Sequence, residues 1–97
     1  MRTKALFAAF ILTGCVSSGP TPEQQKAMQD YADCNVIHSK LFAEQQGDPL
    51  SLAIAAEASC IDQRVALTMV LGHERAEHIR KTAIQGNASD IAKYRTR

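Results

Sequence analysis

Histidines and acids lie close together in one stretch of this sequence, His73-Glu74-Arg75-Ala76-Glu77-His78. Two histidines that bind one zinc ion from a single helix lie four residues apart. His73 and His78 lie five residues apart, which places their side chains about 140° apart around a helix. They cannot bind one ion together from that helix. We expect a solvent-exposed charged face, in which His73 can pair with Glu77, and Glu74 with His78.

Other residue types give no sign of catalysis. His38 has no second metal ligand in its own turn, so we expect a histidine at the edge of the core. No serine or cysteine has a recognisable catalytic partner, and the chain has no glycine-rich phosphate loop. The sequence therefore predicts a protein that is not an enzyme and has no metal site and no cofactor.

The first fifteen residues have the features of an export signal. Arg2 and Lys4 precede an apolar run over residues 5–12, and small residues then lead into Cys15. A basic start, a short apolar core and a small-residue exit form a secretory signal peptide. The apolar run is too short to span a membrane, which needs about 20 residues.

The residues that end this signal, Leu12-Thr13-Gly14-Cys15, resemble the lipobox of bacterial lipoproteins. The resemblance covers residues 1–15 only. It implies that residues 1–14 are removed, that Cys15 carries a diacylglyceryl group on its sulfur, and that the protein is anchored to a membrane. By the same resemblance, Val16 is not the aspartate that often retains lipoproteins in the inner membrane. We therefore expect an anchor in the outer membrane, facing the periplasm.

Two further cysteines, Cys34 and Cys60, remain if Cys15 is lipidated. The exported compartment is oxidising, so we predict that they form an intramolecular disulfide. Two buried free thiols or an intermolecular bridge are the alternatives. A bridge across 26 residues is worth roughly 3–4 kcal/mol in the chain-entropy model. That matters in a single small domain, whose core alone supplies little stability.

Helix signals divide the mature chain. Residues 15–21 form the lipidated cysteine and a linker, and residues 22–97 form one helical domain. Thr21-Pro22-Glu23-Gln24 has the pattern of a capping box, which predicts a helix from Pro22 to about Gln46. Asp48-Pro49 predicts a second helix that continues to Ile84. Gly86-Asn87 is expected to end it, before a short basic helix over residues 88–95.

The position of the turn predicts an antiparallel hairpin. Cys34 lies 13 residues before Gly47, and Cys60 lies 13 residues after it. Residues equidistant from the turn lie opposite each other in such a pair, which brings the two cysteines together. Gly72 can break the longer second helix and allow the chain to fold back. The predicted fold is all-α, a disulfide-stapled antiparallel helical hairpin with a short C-terminal helix.

One segment, residues 65–71, is apolar nearly all round. Leu67, Val70 and Leu71 are therefore candidate interface residues, partly exposed for a partner or a second copy. The alternative is that the C-terminal segment folds back and covers them with three isoleucines. These are Ile79, Ile84 and Ile91.

Charge and location limit the partners. Residues 23–62 contain seven acidic and two basic side chains, and the chain from residue 64 onward contains seven basic and three acidic ones. The balance is near neutral and the location extracytoplasmic, so nucleic acid is not expected as a partner.

We expect a non-catalytic lipoprotein that binds a protein or an envelope component. The alternative is an inhibitor or exclusion factor against an incoming enzyme or phage component, acting through the loop Gln46-Gly47-Asp48.

Overall fold

Four α-helices make up the part of the chain that the computed structural model describes, residues 19–95, which contains no β-strand. The helices are α1 (Pro22–Phe42), α2 (Pro49–Ala58), α3 (Ile61–Leu71) and α4 (His73–Arg95). The predicted all-α fold is confirmed. The predicted signal peptide and the predicted lipidation site, Cys15, lie outside the described residues.

Helix α1 begins as the sequence predicts and ends earlier. The Thr21 hydroxyl accepts a hydrogen bond from the backbone N–H of Gln24 at 3.1 Å, and the Gln24 side chain accepts one from the N–H of Thr21 at 3.0 Å. The helix ends at Phe42 rather than near Gln46. The residues between them form a turn that leads to Gly47, whose φ of 136° suits glycine.

Helix α2 also begins as predicted but stops after ten residues. The Asp48 carboxylate caps it by accepting the backbone N–H of Ser51 at 3.0 Å. The expected helix to Ile84 is interrupted at Ser59 and Cys60. There the Ser59 hydroxyl donates to the carbonyl of Ala55 at 3.1 Å, a local bond that competes with regular helix geometry.

A second interruption, at Gly72, reverses the chain direction between α3 and α4. Gly72 has φ 91° and ψ 160°, a conformation that residues with a Cβ rarely adopt. Helix α4 then packs back against each of the other three helices. The sequence left open whether the helix breaks at Gly72, and the structure shows that it does.

The C-terminal helix is not short, because α4 continues through Gly86 and Asn87. The predicted end at these residues is wrong. Asn87 is buried, and its side-chain amide donates to Asn35 Oδ1 at 2.8 Å and to the Ala53 carbonyl at 3.4 Å. These contacts, with the complete burial of Ile91, outweigh the cost of about 1 kcal/mol for glycine within a helix.

Two apolar clusters lie along the length of α4. The first joins the hairpin arms near the disulfide, and the second lies near the turn between α1 and α2. The first consists of Ala27, Tyr31, Cys60, Leu67 and Ala76, with Ile79 packed against it. The second consists of Leu52, Ala53 and Ile91, with Ile84 packed against it. Of the three isoleucines expected to cover residues 65–71, only Ile79 packs with that segment's cluster.

Polar contacts attach the ends of the helices to one another. The Arg95 guanidinium donates to the carbonyls of Ala43 at 3.3 Å and Gln45 at 2.5 Å, just after α1 ends. At the opposite end, Gln24 donates to the Val70 carbonyl at 3.1 Å. These bonds satisfy backbone carbonyls that have no partner within a helix.

The exposed glycine within α4 provides a test of the continuous helix. Gly86→Ala should stabilise the protein by about 0.5–1 kcal/mol, because an alanine Cβ there meets no atom within 4 Å and loses less backbone entropy. Chemical denaturation followed by circular dichroism measures the change. If the helix ended at Gly86, the substitution would instead destabilise the protein.

Gly72→Ala is the matched control for this prediction. Space is also free around Gly72, but its φ of 91° strains any residue with a Cβ, at a cost of order 1–3 kcal/mol. The two glycine variants should therefore change stability in opposite directions.

Candidate functional site

The two cysteines predicted to pair form a disulfide. Their Cα atoms are 6.0 Å apart, and the sulfurs are bonded at 2.12 Å. The bridge connects the middle of α1 to the residue that precedes α3. Cys60 is completely buried, whereas Cys34 is only partly covered.

The imidazole of His38 lies directly beside this disulfide. Its Nδ1 atom is 3.5 Å from Cys34 Sγ and 3.8 Å from Cys60 Sγ. The same atom is 3.0 Å from the Cys34 carbonyl oxygen. Because a carbonyl can only accept, this contact places the proton on Nδ1. The half-buried position of His38 agrees with the expected edge of the core.

Solvent reaches the disulfide from one side. A shallow depression of about 370 Å³ is lined by Cys34, His38 and four other residues. The four others are Asp30, Asp33, Ile37 and Gln63. The bridge therefore has a buried sulfur, from Cys60, and a sulfur near solvent, from Cys34.

Next to the disulfide lies a buried polar contact that the sequence did not reveal. The Tyr31 hydroxyl donates to Glu57 Oε2 at 2.8 Å. Arg64 Nε lies 2.9 Å from the same oxygen, but its N–H is not aligned for a hydrogen bond. The contact is thus an ion pair, and it compensates the charge of Glu57, which is only 2% exposed.

The contact between Tyr31 and Glu57 stabilises the fold and is not open to a substrate. Burial, with the hydrogen bond to Glu57, raises the pKa of Tyr31 far above its ordinary value. Tyr31 therefore stays protonated as a hydrogen-bond donor at neutral pH. Tyr31 and Glu57 are each 2% exposed, so neither side chain meets a substrate. Their contact fixes α1 against α2.

His73 and His78 line one open depression with Glu74 and Glu77, but within residues 19–95 they belong to no group of three close metal ligands. Glu77 forms an ion pair with Arg80, and this bond lowers the pKa of Glu77. Within residues 19–95, one group of three possible metal ligands lies close together, and it consists of Cys34, His38 and Cys60. This group was not predicted from the sequence, because both cysteines were assigned to the disulfide alone.

The predicted interface residues are not the exposed ones on α3. Leu67 is 0% exposed, so it belongs to the core and cannot form a contact surface. Val70 and Leu71 are partly buried and pack against the same cluster. The burial of Leu67 corrects its expected exposure, whereas a role of the partly exposed Val70 and Leu71 in an interface stays a prediction.

A different face of α3 is exposed instead. Ile61, Val65 and Met69 are 48%, 52% and 81% exposed. Their four-residue spacing places them in one row along the helix. We call this row, Ile61, Val65 and Met69, the α3 stripe. It borders a groove of about 240 Å³ whose other wall is formed by His73, Ala76 and Glu77 of α4.

The size and lining of this groove limit what it can bind. Small-molecule and cofactor pockets usually measure about 300–1,000 Å³ and enclose their ligand. This groove is smaller and open, and it is mainly apolar. It can accept one or two apolar side chains of another protein. Of the residues that line it, Arg64 pairs with Glu57 and Glu77 pairs with Arg80.

Comparison with protein-family models, curated proteins and solved structures finds no match to this chain. Over residues 19–95, no helix has both the length and the hydropathy of a membrane span.

Tyr31→Phe tests the buried contact. At neutral pH it should lower stability by about 1.5–3 kcal/mol, because it removes a hydrogen bond to a charged group. The pH dependence gives a second readout. Folding raises the pKa of Tyr31, so its stabilising effect is complete below the unfolded value of about 10 and decreases as pH rises above it. The stability difference between wild type and variant should therefore decrease between pH 8 and pH 11.

Urea denaturation at several pH values measures this difference. Tyr94→Phe is the matched control, because Tyr94 is partly exposed and its ring lies 5.8 Å from the Lys40 ammonium. A constant difference between wild type and Tyr31→Phe up to pH 11 would contradict the assignment.

Proposed function

We propose that this chain is a non-catalytic, lipid-anchored module of the bacterial outer membrane that binds a partner protein on the periplasmic side. The observation that carries the proposal is the exposed α3 stripe beside an apolar groove. Exposed apolar residues in one row, next to a groove, are typical of protein contact surfaces. Met69 adds a flexible side chain that adapts to different partners.

The energy available from the α3 stripe is modest. Complete burial of an isoleucine, valine or methionine side chain contributes about 1.5–3 kcal/mol. Scaled by the fractions still exposed, the three side chains together contribute roughly 3–5 kcal/mol. A free energy of that size corresponds to a dissociation constant near the millimolar range, before the cost of association. The groove alone therefore supports weak binding.

A lipid anchor compensates for this weakness. Residues 16–20, fully extended, reach on the order of 15–20 Å, which keeps the domain close to the membrane surface. A partner held at the same membrane meets the groove at a local concentration in the millimolar range. Weak binding then becomes sufficient. The proposal thus favours a partner that is itself attached to the outer membrane.

Site-specific photo-cross-linking in intact cells tests the groove. A photoreactive residue at position 61 should give a discrete adduct, because Ile61 lies at one end of the α3 stripe. The added substitution Met69→Asp should abolish the adduct, since burial of a carboxylate in an apolar contact is unfavourable. Leu50→Asp is the matched control. Leu50 is 54% exposed on α2, outside the groove, so this variant should keep the adduct.

Substitutions in the loop Gln46-Gly47-Asp48 complete the experiment. If the chain acted as an inhibitor that inserts this loop into a cleft, Gln46→Ala should remove the adduct and Met69→Asp should not. That outcome would contradict the groove proposal.

Lipidation is tested at Cys15. Cys15→Ser should accumulate as an unlipidated precursor that retains residues 1–14, because the sulfur that receives the lipid is absent. Mass spectrometry of the intact protein measures both forms. Cys34→Ser is the control and should leave acylation unchanged. A wild-type protein without acyl mass on its first residue would refute the anchor.

A further inference from the structure

We propose that Cys34, His38 and Cys60 form a metal-binding site for a thiophilic cation such as Zn²⁺ when the disulfide is reduced. In the oxidised protein the two sulfurs bind each other and the site is closed. Reduction yields two thiols beside an imidazole. Two thiolates and one imidazole form a ligand set that suits zinc and other thiophilic ions.

Distances support this ligand set. Zinc bonds of about 2.3 Å to sulfur and about 2.0–2.1 Å to nitrogen place tetrahedral N and S ligands about 3.6 Å apart. His38 Nδ1 is already 3.5 Å from one sulfur and 3.8 Å from the other. Only the two sulfurs must separate, to about 3.8 Å, and breaking their covalent bond allows this.

Helix positions place the three ligands, and the buried Tyr31–Glu57 hydrogen bond still joins α1 to α2 beside them when the disulfide is reduced. Cys34 and His38 are four residues apart on α1, so they share one face of the helix. Cys60 occupies the position immediately before α3, and its side chain forms no capping hydrogen bond there. The positive end of the helix dipole at this position favours a negatively charged thiolate.

His38 must change one contact to bind a metal ion. Its Nδ1–H donates to the Cys34 carbonyl in the oxidised protein. Within α1 that carbonyl also accepts a regular backbone bond from the N–H of His38. Loss of the side-chain bond therefore leaves the carbonyl paired. Nδ1 can then bind the ion once its proton has moved to Nε2, or Nε2 can bind it after rotation of the ring.

The depression over Cys34 and His38 provides an entry path with suitable charge. Asp30 and Asp33 line it, and their carboxylates attract cations to the opening. Asp30 also pairs with Lys26 at 2.8 Å, and Asp33 accepts a hydrogen bond from Gln29 at 2.8 Å. A water molecule from this side can complete a four-coordinate zinc site.

One dithiol is sufficient to reduce the disulfide between Cys34 and Cys60. A dithiol supplies two electrons and two protons to the disulfide, and it leaves as its own disulfide. Cys34 and Cys60 become thiols. Zinc binding then displaces two protons as the thiolates form. The cross-link between α1 and the start of α3 is thereby replaced by a metal-mediated one rather than lost.

Zinc binding to the full protein in detergent tests this proposal. One sample is reduced with a phosphine and desalted without oxygen, and another stays oxidised. Each is mixed with Zn²⁺, and bound metal is measured by mass spectrometry after gel filtration. We expect about one ion per chain in the reduced sample and none in the oxidised one. With Co²⁺, thiolate ligands should give charge-transfer absorption in the near ultraviolet.

His38→Ala distinguishes a site that uses all three ligands from a site in which the two thiols bind the metal ion without His38. Its affinity for Zn²⁺ should be about tenfold lower or more, since even the groups that support a ligand contribute tenfold or more. His73→Ala is the matched control and should leave the affinity unchanged.

Three results would overturn the proposal. The first is no more zinc in the reduced protein than in the oxidised one. The second is an unchanged affinity in His38→Ala. The third is a reduced chain that loses helical circular dichroism and does not recover it with zinc.

Discussion

The covalent bond between Cys34 and Cys60 determines how the two arms of the hairpin align. Buried polar contacts lie on both sides of Cys34 along α1: Tyr31 with Glu57, and Asn35 with Asn87. A shift of α1 by one helical turn would separate these pairs and remove the hydrogen bond that Tyr31 donates to the buried Glu57 carboxylate, at a cost of about 1.5–3 kcal/mol. The apolar clusters contain many small residues, so they define the alignment less sharply. The bridge and the polar pairs together make one alignment much more stable than its neighbours.

The parts of the fold that depend on local signals could be predicted from the sequence. These include the caps at Thr21 and Asp48 and the cysteine pair, whereas Gly72 was only a possible break. The wrong predictions concern segments whose structure depends on distant contacts. Gly86-Asn87 looks like a helix end, but Asn87 bonds to a residue 52 positions away, and nothing in the local sequence shows this. The break at Ser59 and Cys60 was hidden because the surrounding residues are good helix formers.

In the candidate sites too, local features could be predicted from the sequence and long-range contacts could not. Residues 65–71 are apolar on every side, so periodicity cannot indicate which face stays exposed. That choice follows from the path of α4, which covers Leu67 and leaves Val65 and Met69 in solvent. Likewise, the spacing of Cys34 and His38 is visible in the sequence. The approach of Cys60 Sγ to within 3.8 Å of His38 depends on the interruption between α2 and α3.

The two walls of the apolar groove belong to consecutive helices that share one connecting residue. Gly72 separates Leu71, the last residue of α3, from His73, the first of α4. Two torsion angles at Gly72, where an added Cβ would meet no atom within 4 Å beyond its chain neighbours, set the opening angle of the groove together with the packing of α4 against the other helices. A change in those angles would widen or narrow the groove while both helices stay intact. The proposed contact surface can thus change shape without any redesign of the disulfide-bonded hairpin.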